Sequence, residues 1–205
     1  LSALFLIPLC LYIIYIGPPY ALILGGVAAI GLFSEWVRLL VRCTLPAFPK
    51  GIYALVGTAY LSIAVMWFLH NMALLEGWRL IFWLFFWIWS TDTAAFVGGS
   101  IFKGPKLAPS ISPNKTWSGF ITGMIVGVAV GYETSFWVFP GVFSILDIIL
   151  LVLISQIGDL LESQAKRWSH LKDSSTLIPG HGGLLDRLDS LIAVSVALAL
   201  WEVIG

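Results

Sequence analysis

The sequence predicts an all-α fold, a polytopic integral membrane helical bundle of about seven transmembrane helices. Three observations carry that expectation. Of 205 residues, 59% are hydrophobic and only 11% charged, with a mean hydropathy of +0.96, whereas soluble domains carry about 25% charged residues. The apolar residues come in long continuous runs, without the alternation that a membrane barrel requires, and backbone groups in lipid must be satisfied within their own segment. Charge collects between the runs, so the chemistry is expected at helix ends and in loops.

The runs follow in order along the chain. The first, 1–16, lacks the basic region and small-residue cleavage pattern of a signal peptide and reads as a retained span. The second, 20–41, lies between Pro18-Pro19 and Arg42, and the third, 52–70, follows Pro49-Lys50-Gly51. The fourth, 79–98, opens at Arg79 and ends at Gly98-Gly99. The fifth, 117–132, carries Gly119, Gly123, Gly127 and Gly131, which share one helix face and allow close approach of a neighbour, either within the subunit or across a dimer contact. The sixth, 141–158, follows Pro140-Gly141, and the seventh, 185–204, follows Gly182-Gly183.

Basic residues orient the bundle. Arg38, Arg42 and Lys50 fall between spans two and three, Lys103, Lys106 and Lys115 between four and five, and Lys166, Arg167, Lys172 and Arg187 between six and seven; only Arg79 lies on the alternate side. The positive-inside rule then places the N-terminus and these three loops in the cytoplasm and the C-terminus outside. Net charge is zero and no basic run is interleaved with aromatics, so a nucleic-acid partner is excluded. Cys10 and Cys43 have neither CxxC nor His spacing and read as packing residues.

Ionisable groups at a membrane are costly and are usually functional or paired. The stretch 159–189 concentrates them: Asp159, Glu162, Lys166, Arg167, Lys172, Asp173, Asp186, Arg187 and Asp189, with His170 and His181. On a helix continuing from the sixth run, Asp159, Glu162, Ser163 and Lys166 form one stripe, and Asp186 and Asp189 share a face one turn into the seventh. Such carboxylates suit a hard cation such as Mg²⁺, which takes one or two of them plus substrate phosphates. Lys166, Arg167, Lys172 and Arg187 would bind phosphates. Pro179-Gly180-His181-Gly182-Gly183 leads into a helix N-terminus, where backbone N–H groups favour an anion. A second cluster joins Asp92, inside the fourth run, to Lys103, Lys106 and the turn Ser112-Pro113-Asn114-Lys115-Thr116-Trp117. These parts describe metal-assisted phosphoryl or nucleotidyl transfer; ordinary solvated charges on a glycine-rich turn are the plainer alternative. A transporter running a proton or cation through Asp92 and Asp147 is the rival class, although acidic groups are not spread at mid-depth across several spans.

The order Ser163-Gln-Ala-Lys166-Arg167, four residues, Lys172-Asp173, then Pro179-Gly-His181-Gly182-Gly183-Leu-Leu-Asp186-Arg187-Leu-Asp189 resembles the signature of the phosphatidate cytidylyltransferase (CDP-diacylglycerol synthase) family, about 27 residues with fixed spacings. Asp92 to Gly98, and Lys106 to Pro109 with Ser112 to Gly119, resemble a second region of that family, and Glu35-Trp36 a weaker feature. The resemblance is good over the last 115 residues or so and poor over the first 90, which divides the chain into N-terminal helices, 1–90, and a catalytic region, 91–205. Phe96 stands where many members carry Tyr, and Ser118 where an acidic residue is frequent.

The resemblance implies CTP plus phosphatidate giving CDP-diacylglycerol plus pyrophosphate, with one or more Mg²⁺ ions, on the cytoplasmic side of a commonly homodimeric membrane protein. Asp159 and Asp186 match the metal-binding carboxylates, and with Lys166 and Asp189 they form the expected catalytic set. Ser163, Arg167, Lys172, Asp173, His181, Gly182, Gly183, Arg187, Asp92, Lys106, Ser112 and Lys115 are expected around the substrates. A CTP-dependent lipid kinase, moving the γ-phosphoryl group instead, is the nearer alternative.

Overall fold

The structure is a computed structural model and describes residues 2–175, 177 and 182–204. Seven helices are present among them: α1 (Ser2–Ile16), α2 (Tyr20–Arg42), α3 (Ala47–Ala73), α4 (Gly77–Phe102), α5 (Trp117–Val138), α6 (Ile145–Trp168) and α7 (Leu185–Ile204). Of these, α2, α3, α4 and α5 are long and apolar enough to cross a membrane. The all-α expectation is corrected at one place. Ser112 to Trp117, read from the sequence as a turn, instead form strand β2 (Ser112–Thr116) and the first residue of α5; β2 pairs with β1 (Lys106–Ala108) in an antiparallel hairpin, with Lys106 opposite Thr116 and Ala108 opposite Ser112. This polar, proline-containing segment has no alternation to announce a strand; its pairing comes from the turn that brings its two arms together.

Several helices outrun their apolar stretches, because backbone hydrogen bonding continues until something stops it. α6 extends past Gly158 to Trp168, and its polar last turns carry the acidic and basic stripe. Its start is delayed by the turn at Gly141, with φ of +77°. There Ser144 and Asp147 close a capping box: the Ser144 N–H donates to Asp147 Oδ2 at 2.7 Å, and the Asp147 N–H to Ser144 Oγ at 3.4 Å. Asp147 is therefore a helix cap, and the transport reading loses one of its two carboxylates.

A central cluster of Trp67, Trp83, Leu84, Trp87, Ile148, Val152, Leu191 and Val194 joins α3, α4, α6 and α7. A second, built on Leu32, Trp36, Leu39, Leu61, Leu185 and Ile192, packs α2 and α3 against α7. Outward positions such as Ile23, Val27, Ile30, Leu55, Phe96 and Ile125 are exposed and apolar, as a lipid-facing surface requires. Phe96 points outward on α4, so the missing tyrosine hydroxyl is remote from the interior.

The glycine stripe of α5 is spent inside the subunit. All four glycines are buried; a Cβ on Gly119 would meet Ala95, on Gly123 Ala95 and Gln156, on Gly127 Thr91 and Val152, and on Gly131 Ile148 and Trp87. α4 and α5 thus lie backbone to backbone. Gly127→Leu is expected to destabilise the folded protein by about 1–3 kcal/mol, the usual cost of overpacking, read as a lowered midpoint of thermal unfolding in detergent.

The three basic loops meet at one end of the bundle. The Thr44 N–H donates to the Trp168 carbonyl at 3.0 Å, Ser169 Oγ to the Leu39 carbonyl at 2.9 Å, and Arg167 Nε to the Ile111 carbonyl at 2.9 Å. Arg79 is paired with Glu76 at 3.2 Å, in the connection between α3 and α4.

Candidate active site

At the end where the basic loops meet, a cavity of about 410 Å³ opens between α4, α6 and α7. It is lined by Trp89, Asp92 and Thr93 from α4, Asp159 and Lys166 from α6, and Asp186, Arg187 and Asp189 from α7. Helical spacing explains the convergence. Asp159 and Lys166 lie seven residues apart, two turns along one face, and Asp186 and Asp189 lie three apart on another. The hairpin adds Lys115, which forms an ion pair with Asp159 Oδ2.

Lys166 is the electrostatic centre of the α6–α7 contact. Its Nζ lies 2.6 Å from Glu162 Oε2 and 2.6 Å from Asp186 Oδ1, and all three side chains are largely buried. Asp186 divides its oxygens between two tasks. Oδ1 takes the lysine, while Oδ2 accepts from the Gly183 N–H at 2.8 Å, the Ser174 N–H at 2.9 Å and Ser174 Oγ at 3.0 Å. It thereby ties together the two ends of the loop ahead of α7. Gly182 adopts φ of +83°, and a Cβ on Gly183 would collide with Ser174 Oγ and the Glu35 carboxylate, so both glycines are required by geometry.

The remaining sequence-expected residues are not in the cavity lining. Arg167 is turned away, donating to the hairpin; Ser163 is buried within the bundle; Lys172 and Asp173 are exposed at the loop entrance; Lys106 and Ser112 belong to the hairpin strands. His181 lies outside the described residues. Four residues beyond the expected set take part. Trp89, one turn before Asp92, and Thr93, directly after it, line the cavity and were hidden in an apolar run, whereas Glu162 stood in the expected stripe without a role. Glu35 is the fourth, beneath the loop and 2% exposed on α2.

The lining fits a hard divalent cation. Its anionic donors are all carboxylate oxygens, and those of Asp159 and Asp186 already face lysine ammonium groups, so the positions accept positive charge. Among the described residues, no three carboxylate, thiolate or imidazole side chains group tightly enough to hold a metal by themselves.

Comparison with known proteins shows the family. Residues 40–204 match the Cytidylyltransferase family. The chain is 39% identical to the phosphatidate cytidylyltransferase of Rickettsia conorii over 213 aligned positions, spanning 99% of this chain and 89% of that protein. It is 40% identical to the corresponding Rickettsia felis protein, over 97% and 88% of the two chains. A Brucella suis phosphatidate cytidylyltransferase is 48% identical over 130 positions, 62% of this chain and 48% of that one. The similarity therefore reaches well into the first 90 residues, further than the motifs alone indicate. With a family match running from the end of α2 through α7 over the cavity residues described above, the chain belongs to the cytidylyltransferase family.

Proposed function

We propose that the protein is a phosphatidate cytidylyltransferase, a nucleotidyltransferase that converts CTP and phosphatidate to CDP-diacylglycerol and pyrophosphate in phospholipid synthesis. The observation that carries the reading is the cavity itself: four aspartates with Lys166 and Arg187, at the end of a bundle whose outer faces are apolar. One substrate lives in lipid and the other in water, and this is where the two phases meet.

In the proposed reaction a phosphate oxygen of phosphatidate attacks the α-phosphorus of CTP in line. A P–O bond forms, the bond between the α- and β-phosphoryl groups breaks, and its electron pair leaves with pyrophosphate. The attacking phosphate is already anionic, so the reading requires no strong general base. Lys166 and Arg187 bind phosphate oxygens from the cavity wall, and Lys115 supplies a further cation beside Asp159. Asp159 and Asp186 would hold Mg²⁺, which when bound supplies charge neutralisation on the transferring group. Asp92 and Asp189 complete the acidic wall. Arg167 and Lys172, expected on the triphosphate, would act from outside the cavity lining, Arg167 by fixing the hairpin that carries Lys115.

The same reading has α1, α6 and α7 crossing the bilayer with α2–α5, and sets the cavity on the cytoplasmic face of the cell membrane. The concentration of lysine and arginine at the loops between α2 and α3, α4 and α5, and α6 and α7 supports that orientation. A homodimer, implied by the family resemblance, would pair through a face other than the α5 glycine stripe, which α4 occupies.

The decisive assay incubates detergent-purified protein with phosphatidate, Mg²⁺ and CTP radiolabelled on its α-phosphorus. Label is expected in the lipid phase, dependent on both phosphatidate and metal. A folded, lipid-replete preparation that leaves all α-label in water would move the lipid-kinase reading ahead, with γ-labelled CTP as its test.

A further inference from the structure

We propose that Glu35 is a positioning residue for Asp186: from α2 it fixes both ends of the loop that presents the Asp186 carboxylate to the cavity, and this task requires a carboxylate. The role rests on the reading of the cavity above and concerns a residue ahead of residues 40–204, the stretch that the family model matches.

Glu35 is buried on α2, and among the described residues each of its oxygens receives two donors. Oε1 accepts from the Leu184 N–H at 2.8 Å and Ser175 Oγ at 2.5 Å. Oε2 accepts from the Leu185 N–H at 2.8 Å and Ser174 Oγ at 2.9 Å. Two of the donors stand at the beginning of the loop and two at its end, so one side chain closes a connection that begins 139 residues further along the chain. The Leu184 and Leu185 N–H groups open α7, where donors have no partner within the helix. Ser174 links this clamp to the cavity, since its Oγ lies 3.0 Å from Asp186 Oδ2 and its N–H donates to the same oxygen.

The chemistry of the side chain is set by those two backbone donors. They cannot rotate, and they point at different oxygens. A glutamine placed there sets its NH₂ against one of them in either orientation, donor facing donor, whereas a carboxylate accepts from both. The hydroxyls of Ser174 and Ser175 can turn; the peptide groups cannot. Loss of the carboxylate therefore frees the start of α7 and, through Ser174 and Gly183, the orientation of Asp186.

The test compares full-length wild-type and Glu35→Gln protein in lipid-supplemented detergent by amide hydrogen exchange and by steady-state formation of CDP-lipid. Exchange at Leu184 and Leu185 is expected to rise about tenfold or more, as suits loss of hydrogen bonds to a charged group, with the buried amides of α5 unchanged. The kcat is expected to fall by about the same factor, with KM for CTP altered less than about twofold, because no residue lining the cavity has been replaced. Wild-type exchange at Leu184 and Leu185 in the variant would overturn the clamp; raised exchange with undiminished kcat would overturn its link to Asp186. If wild-type protein makes no CDP-lipid, the catalytic reading fails, and the exchange measurement still decides whether Glu35 holds the loop. Should Glu35→Gln not fold, Ser175→Ala removes one of the four bonds and is expected to raise exchange at the same two amides by a smaller factor; no rise there would overturn the clamp.

Discussion

Asp186→Asn is expected to reduce transfer of α-label from CTP to lipid by at least about a thousandfold, the scale associated with removing charge stabilisation at a transferring phosphoryl group. The structure gives this substitution two ways to act. At Oδ1 it removes the negative charge that faces the cavity and Lys166; at Oδ2 it weakens the acceptor that gathers the Gly183 and Ser174 N–H groups. An asparagine must set its NH₂ either against the lysine ammonium or against those backbone donors. Asp159→Asn is expected to cost a similar factor through charge alone, since its partner Lys115 comes from the hairpin and no backbone donor among the described residues is involved. Both chains should elute as folded membrane proteins in detergent. Near-wild-type rates in both at saturating Mg²⁺ would remove these carboxylates from the mechanism.

Lys166→Met should be the most destabilising single change in the cavity wall, by about 3–5 kcal/mol, the cost of stranding buried charge without its partner. The lysine side chain is 15% exposed, and Glu162 and Asp186, 8% and 9% exposed, would face each other with no cation between them. Adding Glu162→Gln removes one of the two stranded charges and is expected to recover a substantial part of that loss. Activity should not return, because Lys166 would also be missing from the phosphates. Unfolding midpoints of the three chains in a denaturing detergent decide the point. A single variant as stable as wild type would mean that Lys166 is not the centre of this contact.

What could be read in advance follows from how local each signal is. The helices were legible because an apolar run of membrane length has few alternatives to α-helix, and the shared faces of Asp159 with Lys166 and of Asp186 with Asp189 follow from helical period alone. The period also explains why one expected residue is absent from the cavity lining. Arg167 is adjacent to Lys166 and so points about 100° around the helix; it meets the hairpin while its neighbour meets the cavity. The hairpin itself carried no hydrophobic alternation to declare it. Glu35 was legible only as part of the Glu35-Trp36 feature and without a task, since its four partners among the described residues lie at least 139 residues away. The α5 glycines were legible as a packing face but not as to partner, because close approach looks the same in sequence whether the neighbour is α4 or another copy of the chain.

The loop ahead of α7 is fastened from α2, near the beginning of the chain, and the cavity takes side chains from α4, α6 and α7. During biosynthesis the early helices reach the membrane long before their partners are made. A ribosome-bound chain that has inserted α1 through α6 holds Glu35 without its donors and Lys166 without Asp186. On the proposed mechanism the cavity is assembled only once α7 has joined α4 and α6, so catalytic competence follows the insertion of that helix.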